Sequence, residues 1–473
     1  MEALCKELTD TYNTNVLDNE KNKLITEEFM KTATKYRDSG NGKSVLMNLI
    51  YNHFSPDVKK PEPLFIGGPM DLTVHWSKTH KKIIYIFGEH HSDKLDCFRF
   101  TKKTDIESDV PGATIMSAEY FFKELSRTTD CFIDFLFEIP ATEMKSKGYH
   151  DDFDPYIGKK NIRLSKLFDN FKGCINYPTR SEKICRLSRV HYFDSRYNDK
   201  GSAFKGGNIL SSFRIEIQNI LKHLEPSAYA VAFKRLLENK PEFIQIFVQF
   251  NSSDDKSILQ FLLSQVKQNI YITKELGRFE ENNQFRLLID EFIQEENTAI
   301  MDTYKLLWKK ESETILKFVN QTGKDLPTIT EFENSVFYIY NSLIGVNTIV
   351  SDAYLLSRLF KKFDLTQMEE KAYQGATDQP AKATNVIIYA GSAHSDKYRL
   401  FLKNKLGFEQ IAETGLTKNP NEPFMHCIDM RTIPQPFFNS WPPVGYIDKK
   451  TKAFIPPTQP KGGLGYFLSK FVN

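Results

Sequence analysis

Four short apolar runs recur along the chain, and an ionisable side chain stands at or shortly after the end of each. They are rich in β-branched and aromatic residues, a composition that predicts buried β-strands. The four predicted strands cover residues 83–87, 131–140, 189–196 and 386–390. A further strand is predicted at residues 71–76, where a lysine-containing turn joins it to the first of the four.

Helical periodicity appears between and after these strands. Ser117 precedes an amphipathic segment and is predicted to be its N-cap. From about residue 206, apolar residues recur at helical spacing for about 160 residues, with no convincing strand among them. Another helix follows His394 and is predicted to end at Gly407. This alternation predicts an α/β fold with a mainly parallel central sheet flanked by helices and a large all-helical insertion before the last strands.

The same patterns divide the chain into five parts. We predict an N-terminal helical segment (1–70), the first half of the α/β core (71–205), the helical insertion (206–375), the second half of the core (376–433) and a tail rich in Pro, Gly and aromatic residues (434–473). Residues 408–413 and 424–430 are predicted to be a closing pair of strands. The tail is expected to be an extended arm or partner-docking segment outside the core.

Composition sets limits on partners and location. The chain has 63 basic and 60 acidic residues without a basic block, so binding to nucleic acid has no electrostatic support.

No uninterrupted apolar run approaches the roughly twenty residues of a membrane span, and the first residues lack the layout of a signal peptide. Six scattered cysteines without C-x-x-C spacing argue against a disulfide framework and a zinc ribbon. We therefore expect a cytoplasmic protein with no membrane span.

Ionisable side chains directly follow the predicted strands. GEHH, with Glu89 and His91, ends the first of the four, and GSAH, with His394, ends the last. Ligands collect at the carboxyl ends of strands in open α/β sheets, so these two segments, about 300 residues apart, are expected to share one site. The remaining strand ends contribute, in chain order, Glu138, Asp194 and Arg196.

Two kinds of hydrolytic chemistry fit such a set of side chains. In the first, His91, Glu138 and His394 bind a divalent metal that activates water. In the second, a histidine or a glutamate is the general base without a metal, and Arg196, supported by Asp194, stabilises an oxyanion. The sequence pattern leaves both alternatives open.

The pair GEHH and GSAH resembles the paired G-x-x-H motifs of the Tiki/TraB superfamily, which is related to erythromycin-esterase-like enzymes and ChaN-type haem-binding proteins. Glu138 and Arg196 match a glutamate and a later arginine of those families, and GEHH fits the G-E-x-H form of the last two branches. The resemblance covers about residues 80–200 and 345–430. It implies metal-dependent proteolysis in the Tiki branch, or ester hydrolysis with histidine as base in the esterase-like branch, and hence a peptide or small ester substrate.

The chain also departs from those families. Residues 351–358 stand where relatives tend to carry a helix with arginine or asparagine, and only Asp352 is a loose match. A second hypothesis is therefore a non-enzymatic structural or interaction protein, which would bind a protein partner through the helical insertion or the tail. A third is haem capture, as in the ChaN-type branch. The composition, heavy in Asn, Lys, Ile, Phe and Tyr, resembles that of proteins from large AT-rich DNA viruses, which would place the chain in host cytoplasm or virion.

Overall fold

The structure is a computed structural model, and it describes only part of the chain. The described residues are 61–90, 97, 115–129, 131–140, 162–171, 174, 188–194, 209–280, 283–321, 325–363, 380–415, 426–438, 446–447 and 454–455. Two predicted site residues, His91 and Arg196, lie outside these ranges, as does nearly all of the predicted N-terminal helical segment.

A six-stranded sheet forms the centre of the molecule, with strand order β6-β5-β7-β3-β2-β8. Its strands are β2 (Asp71–Ser77), β3 (Lys82–Glu89), β5 (Ile133–Pro140), β6 (Ser188–Asp194), β7 (Asn385–Gly391) and β8 (Glu409–Thr414). Strands β6, β5, β7 and β3 run parallel, while β2 and β8 are antiparallel additions at one edge. The predicted α/β fold with a mainly parallel sheet is confirmed.

A smaller three-stranded sheet packs against the same core as one face of the central sheet. It has the order β4-β1-β9 and consists of β1 (Phe65–Gly67), β4 (Ile115–Ser117) and β9 (Cys427–Asp429). Strand β1 lies in a stretch predicted to be helical, because three residues are too few for a periodicity to be recognised. The predicted closing pair is also wrong, since β8 pairs with β2 whereas β9 pairs with β1. Two short strands, β10 (Tyr446–Ile447) and β11 (Phe454–Ile455), pair with each other.

Each face of the central sheet is covered by its own set of helices. Alternate residues of β3 enter different clusters, with Tyr85 and Phe87 on one face and Ile84 and Ile86 on the other. The first face packs against α1 (Ala118–Thr128) and α2 (Ile162–Phe171). The second face packs against α10 (Ser392–Leu406) and parts of the helical segment. As predicted, Ser117 caps α1, and Gly407 ends α10 with a positive φ of 64°.

The predicted helical insertion is a helical segment from residue 209 to residue 360, and its described residues form seven α-helices. They are α3 (Ile209–His223), α4 (Tyr229–Asn239), α5 (Ile244–Phe250), α6 (Asp255–Lys267), α7 (Ile270–Leu276), α8 (Gln284–Asn320) and α9 (Ile329–Phe360). Helices α8 and α9 pack along each other, and the first half of α9 helps to form a separate helical core around Trp308. Its second half packs on the central sheet. Helix α9 therefore joins the two cores.

Helix α9 is also apolar and long enough to cross a membrane, judged by length and composition only. However, 72% of that apolar stretch is buried inside the protein, as it is in the central helix of a globular core. The predicted absence of a membrane span is thus neither supported nor contradicted by this helix.

The beginning of the predicted tail belongs to the core. Phe437 and Phe438 are buried, and their rings lie 4.1 Å and 4.9 Å from that of Tyr85. The prediction of an arm outside the core is wrong for these residues, because the central sheet leaves an aromatic surface that they cover. Apart from β10 and β11, the tail beyond residue 438 lies outside the described part of the chain.

A disulfide bond joins Cys97 to Cys427, across 330 positions of sequence. Both cysteines are buried beside Phe65 and Ile115 of the smaller sheet. Cys174 is disulfide-bonded as well. The expectation of a chain without a disulfide framework is therefore wrong, because cysteine spacing says nothing about pairs formed by distant segments. Disulfides are rare in cytosolic proteins, so this bond offers a direct test of the cytoplasmic location, which stays a prediction.

Candidate functional site

Three adjacent parallel strands, β5, β7 and β3, bring polar groups to one edge of the central sheet. Glu138 lies near the end of β5, Gly391 ends β7, and Glu89 ends β3, directly beside Gly391 in the register. Helix α10 begins immediately after β7, so His394 lies in its first turn. Glu89, Glu138 and His394 are all buried, with at most 6% of each residue exposed.

His394 lies between two carboxylates. Its Nε2 is 3.2 Å from Oε1 of Glu138, and its Nδ1 is 2.5 Å from Oδ1 of Asp352, which lies on α9. Asp352 is fully buried. We call these three residues the carboxylate–imidazole triad. The triad joins three elements that are far apart in sequence, namely β5, α9 and α10.

Each carboxylate of the triad accepts further hydrogen bonds. The hydroxyl of Tyr398 donates to Oδ1 of Asp352 at 2.7 Å, and Nζ of Lys397 lies 3.5 Å from the other oxygen. His394, Lys397 and Tyr398 have the spacing of one helical face, so α10 presents three donors to a single aspartate. Glu138 accepts from the backbone N–H of Gly391 at 2.7 Å, at the N-terminus of α10, where the helix dipole favours a negative charge.

The charges of the triad depend on each other. Burial by itself lowers the pKa of His394, but the carboxylates of Asp352 and Glu138 outweigh it and raise the pKa to about 10. Burial likewise favours the neutral acid of Asp352, yet the imidazolium of His394 and the ammonium of Lys397 lower the pKa of this carboxyl group. At neutral pH, His394 is therefore an imidazolium, and its Asp352 partner is ionised.

Of the six predicted site residues, the structure brings Glu138 and His394 into contact. Asp194 is nearby, since it accepts a hydrogen bond of 3.3 Å from Ser351, the neighbour of Asp352. Glu89 contacts the hydroxyl of Tyr389 through its carboxylate, and Tyr389 belongs to the cluster on the opposite face of the sheet. Glu89 thus lies at the same edge as the triad but faces the other side. His91 and Arg196 lie outside the described residues.

Sequence reasoning did not assign Asp352 to the site. One signal for it existed, because Asp352 interrupts a strongly apolar stretch of α9, and a buried carboxylate needs a charged or hydrogen-bonding partner. The sequence did not reveal which partner that was. Contact with His394 depends on how α9 crosses the sheet, and that crossing follows from packing over the whole helical segment.

The second polar cluster on this face lies farther from the carboxyl edge and includes a residue of α9. Arg358 of α9 donates to Nδ1 of His191 at 3.1 Å and to Glu275 of α7 at 2.9 Å. His191 in turn contacts Asp134, whose carboxylate binds the guanidinium of Arg189. These contacts join the last turns of α9 to α7 and β6.

The triad does not have the arrangement of a metal site. Among the residues that the structure describes, no group of three or more His, Cys, Asp or Glu side chains could hold a metal ion. The chemical reason lies in His394, since both of its ring nitrogens already contact carboxylates. The predicted metal set also includes His91, for which no position is described, so binding of a divalent metal stays a prediction.

No protein-family model, no curated protein and no solved structure matches this chain. The resemblance to the Tiki/TraB superfamily therefore stays a prediction that rests on the motifs alone.

Proposed function

We propose that the protein is an esterase-like hydrolase in which the carboxylate–imidazole triad carries out the acid–base chemistry. One observation carries this proposal, namely the buried His394 held between Glu138 and Asp352 at the carboxyl ends of parallel strands. Burying three charged groups together costs more free energy than an apolar replacement would. Perturbed, mutually coupled ionisable groups at such an edge are typical of active sites.

The triad contains a base and an acid in contact. Glu138 takes a proton from the attacking water, whose oxygen then forms the bond to the acyl carbon. His394 gives the proton on Nε2 to the departing alcohol oxygen as the ester bond breaks. The proton on Glu138 then passes to Nε2 across their 3.2 Å contact, which restores the starting state. Asp352 orients the ring through Nδ1 throughout this cycle.

Two features favour the esterase-like version over the metal-dependent peptidase. His394 has both ring nitrogens directed at carboxylates, so the triad works as a proton donor and acceptor rather than as a set of ligands. In addition, the raised pKa of His394 keeps the acid protonated at neutral pH. Arg196 and His91 retain their predicted roles as oxyanion stabiliser and second histidine of the site.

Hydrolysis of p-nitrophenyl esters with short and long acyl chains, measured beside fluorogenic peptides, tests the proposal. We expect ester turnover that persists in EDTA and falls as the pH rises through about 10, where His394 loses its proton. Glu138→Gln and His394→Asn should each lower kcat by about 10²–10⁴-fold. The control is His80→Gln, which changes a histidine in the turn before β3, at the opposite edge of the sheet.

The outcomes separate the hypotheses. Ester turnover that requires an added divalent metal would favour the metallohydrolase and overturn the proposed role of the triad. Absence of turnover on every ester and peptide, with a folded protein, would favour the non-enzymatic interaction protein. Turnover that survives both triad substitutions would place the chemistry elsewhere in the chain.

A further inference from the structure

Helix α10 has a second polar face, directed at strand β3. Three of its side chains donate to main-chain carbonyl oxygens of that strand, with Ser392 bonded to Glu89 at 3.3 Å and Ser395 to Phe87 at 3.2 Å. The third is Arg399, whose Nη2 lies 3.4 Å from the carbonyl oxygen of Ile86. Positions 392, 395 and 399 share one helical face, which is distinct from the adjoining face of His394, Lys397 and Tyr398.

Arg399 lies at the centre of this second polar face of α10. It is 7% exposed, and its Nη2 also binds the carboxylate of Asp71, the first residue of β2. Its Nε donates to the hydroxyl of Thr73 at 2.9 Å, and its Nη1 donates to Asp396 at 2.7 Å. The planar guanidinium thereby ties α10 to two neighbouring strands in one fixed orientation.

Asp71 occupies the space above Gly88, the first residue of GEHH. The two residues are partners in the β2–β3 register, and Asp71 is fully buried. A Cβ atom on Gly88 would lie 2.4 Å from Oδ1 of Asp71. A side chain at position 88 would therefore displace the carboxylate of Asp71. The ion pair of Asp71 and Arg399 thus links the residue that pairs with the first residue of GEHH to the helix that begins within GSAH.

We propose that Arg399, together with Asp71, is a positioning residue of the triad. The pair fixes the rotation of α10 on β3, so that the adjoining face of the helix holds His394 between Glu138 and Asp352. A small rotation of α10 would move both contacts of the imidazole at once, and displacements of about 1 Å at a reacting group cost up to about 10²-fold in rate. The catalytic consequence rests on the proposed function, whereas the positioning does not.

The imidazole N–H protons of His394 provide a readout that does not require turnover. A buried imidazole N–H bonded to a carboxylate gives a proton NMR signal downfield of the amide region, and its loss in His394→Asn assigns it. We expect this signal to disappear or move upfield in Arg399→Met. Asp71→Asn should weaken it, since the neutral amide no longer pairs with the guanidinium. Gly88→Ala, which displaces Asp71 from the other side, should abolish it as well.

The matched control is Arg189→Met. Arg189 is also 7% exposed and also pairs with a buried aspartate, Asp134, but it contacts a different part of the sheet. This variant should lose stability while keeping the His394 signal. Arg399→Lys retains the charge but lacks the guanidinium fork, and we expect it to fail to restore the signal fully. Far-UV circular dichroism identifies the variants that remain folded.

Folded Arg399→Met and Asp71→Asn proteins that keep the His394 signal unchanged would overturn the positioning role. If Arg399→Met does not fold, Asp71→Asn and Gly88→Ala decide the question alone. The two proposals fail separately. A wild-type protein without any turnover, but with a signal that depends on Arg399, would refute the hydrolase and leave the positioning intact. With turnover, Arg399→Met should lower kcat by about 10²-fold.

Discussion

Replacing Asp352 with asparagine perturbs the electrostatics of the triad with little change in shape. The amide oxygen can still accept a hydrogen bond from His394, but the negative charge beside the imidazolium is lost. Removing one partner of a buried ion pair costs about 3–5 kcal/mol when the remaining charge has no other partner, and because His394 keeps Glu138 we take the lower end of this range, about 3 kcal/mol. We expect Asp352→Asn to lower the free energy of unfolding by that amount at about pH 8.

The size of this loss should depend on pH. The pKa of His394 is raised from 6.5 to about 10 on folding, so its stabilising contribution is fully present below about pH 6.5 and disappears as the pH rises through about 10. By linkage, this contribution is on the order of 3 kcal/mol at pH 8 and below about 1 kcal/mol at pH 10. Of the two carboxylates, Asp352 raises the pKa of His394 more than Glu138 does. The difference between wild type and Asp352→Asn should therefore shrink by about 1–2 kcal/mol over this range.

Urea unfolding followed by far-UV circular dichroism, repeated between about pH 8 and about pH 10, measures this difference. The control is Asp134→Asn, which breaks a buried pair with Arg189, whose guanidinium stays charged throughout. Burial lowers the pKa of the neighbouring His191 to about 3 and that of Lys82 to about 7, so neither titrates strongly in this window. The difference in free energy of unfolding between wild type and Asp134→Asn should therefore not change with pH. If the difference in free energy of unfolding between wild type and Asp352→Asn is equally independent of pH, the charged state assigned to the triad is refuted.

Two further predictions concern the core and the disulfide. Phe437→Ala should lower the free energy of unfolding by about 3–5 kcal/mol, because Phe437 is buried in the aromatic cluster, whereas Leu400→Ala, at an exposed position, should change it by less than about 0.5 kcal/mol. Urea titrations of both variants check this, and equal stabilities would exclude the tail from the core. Peptide mapping of the non-reduced protein from its native source should recover a linked pair of peptides containing Cys97 and Cys427. Recovery of both as thiols would contradict the bond and support the cytoplasmic location.

The secondary structure was largely predictable because it depends on local periodicity. The apolar run before GEHH and the run before GSAH became β3 and β7, and they are neighbours in the sheet. The cap at Ser117 and the end of α10 at Gly407 also followed from local chemistry. Two of the three members of the triad were predictable in the same way, since Glu138 and His394 lie at or just past the ends of strands that finish at one edge.

What the sequence determined by itself was therefore the order of the elements and the kinds of side chain that their ends carry. Tertiary structure alone decided which of those side chains meet. It separated β8 from β9, turned Glu89 to the face of Tyr389, joined Cys97 to Cys427, and brought Asp352 to His394. Each of these contacts joins segments whose approach depends on packing of the whole chain, and particularly on the course of α9 between the two cores. Periodicity records which face of an element is buried, but it holds no information about the partner that buries it.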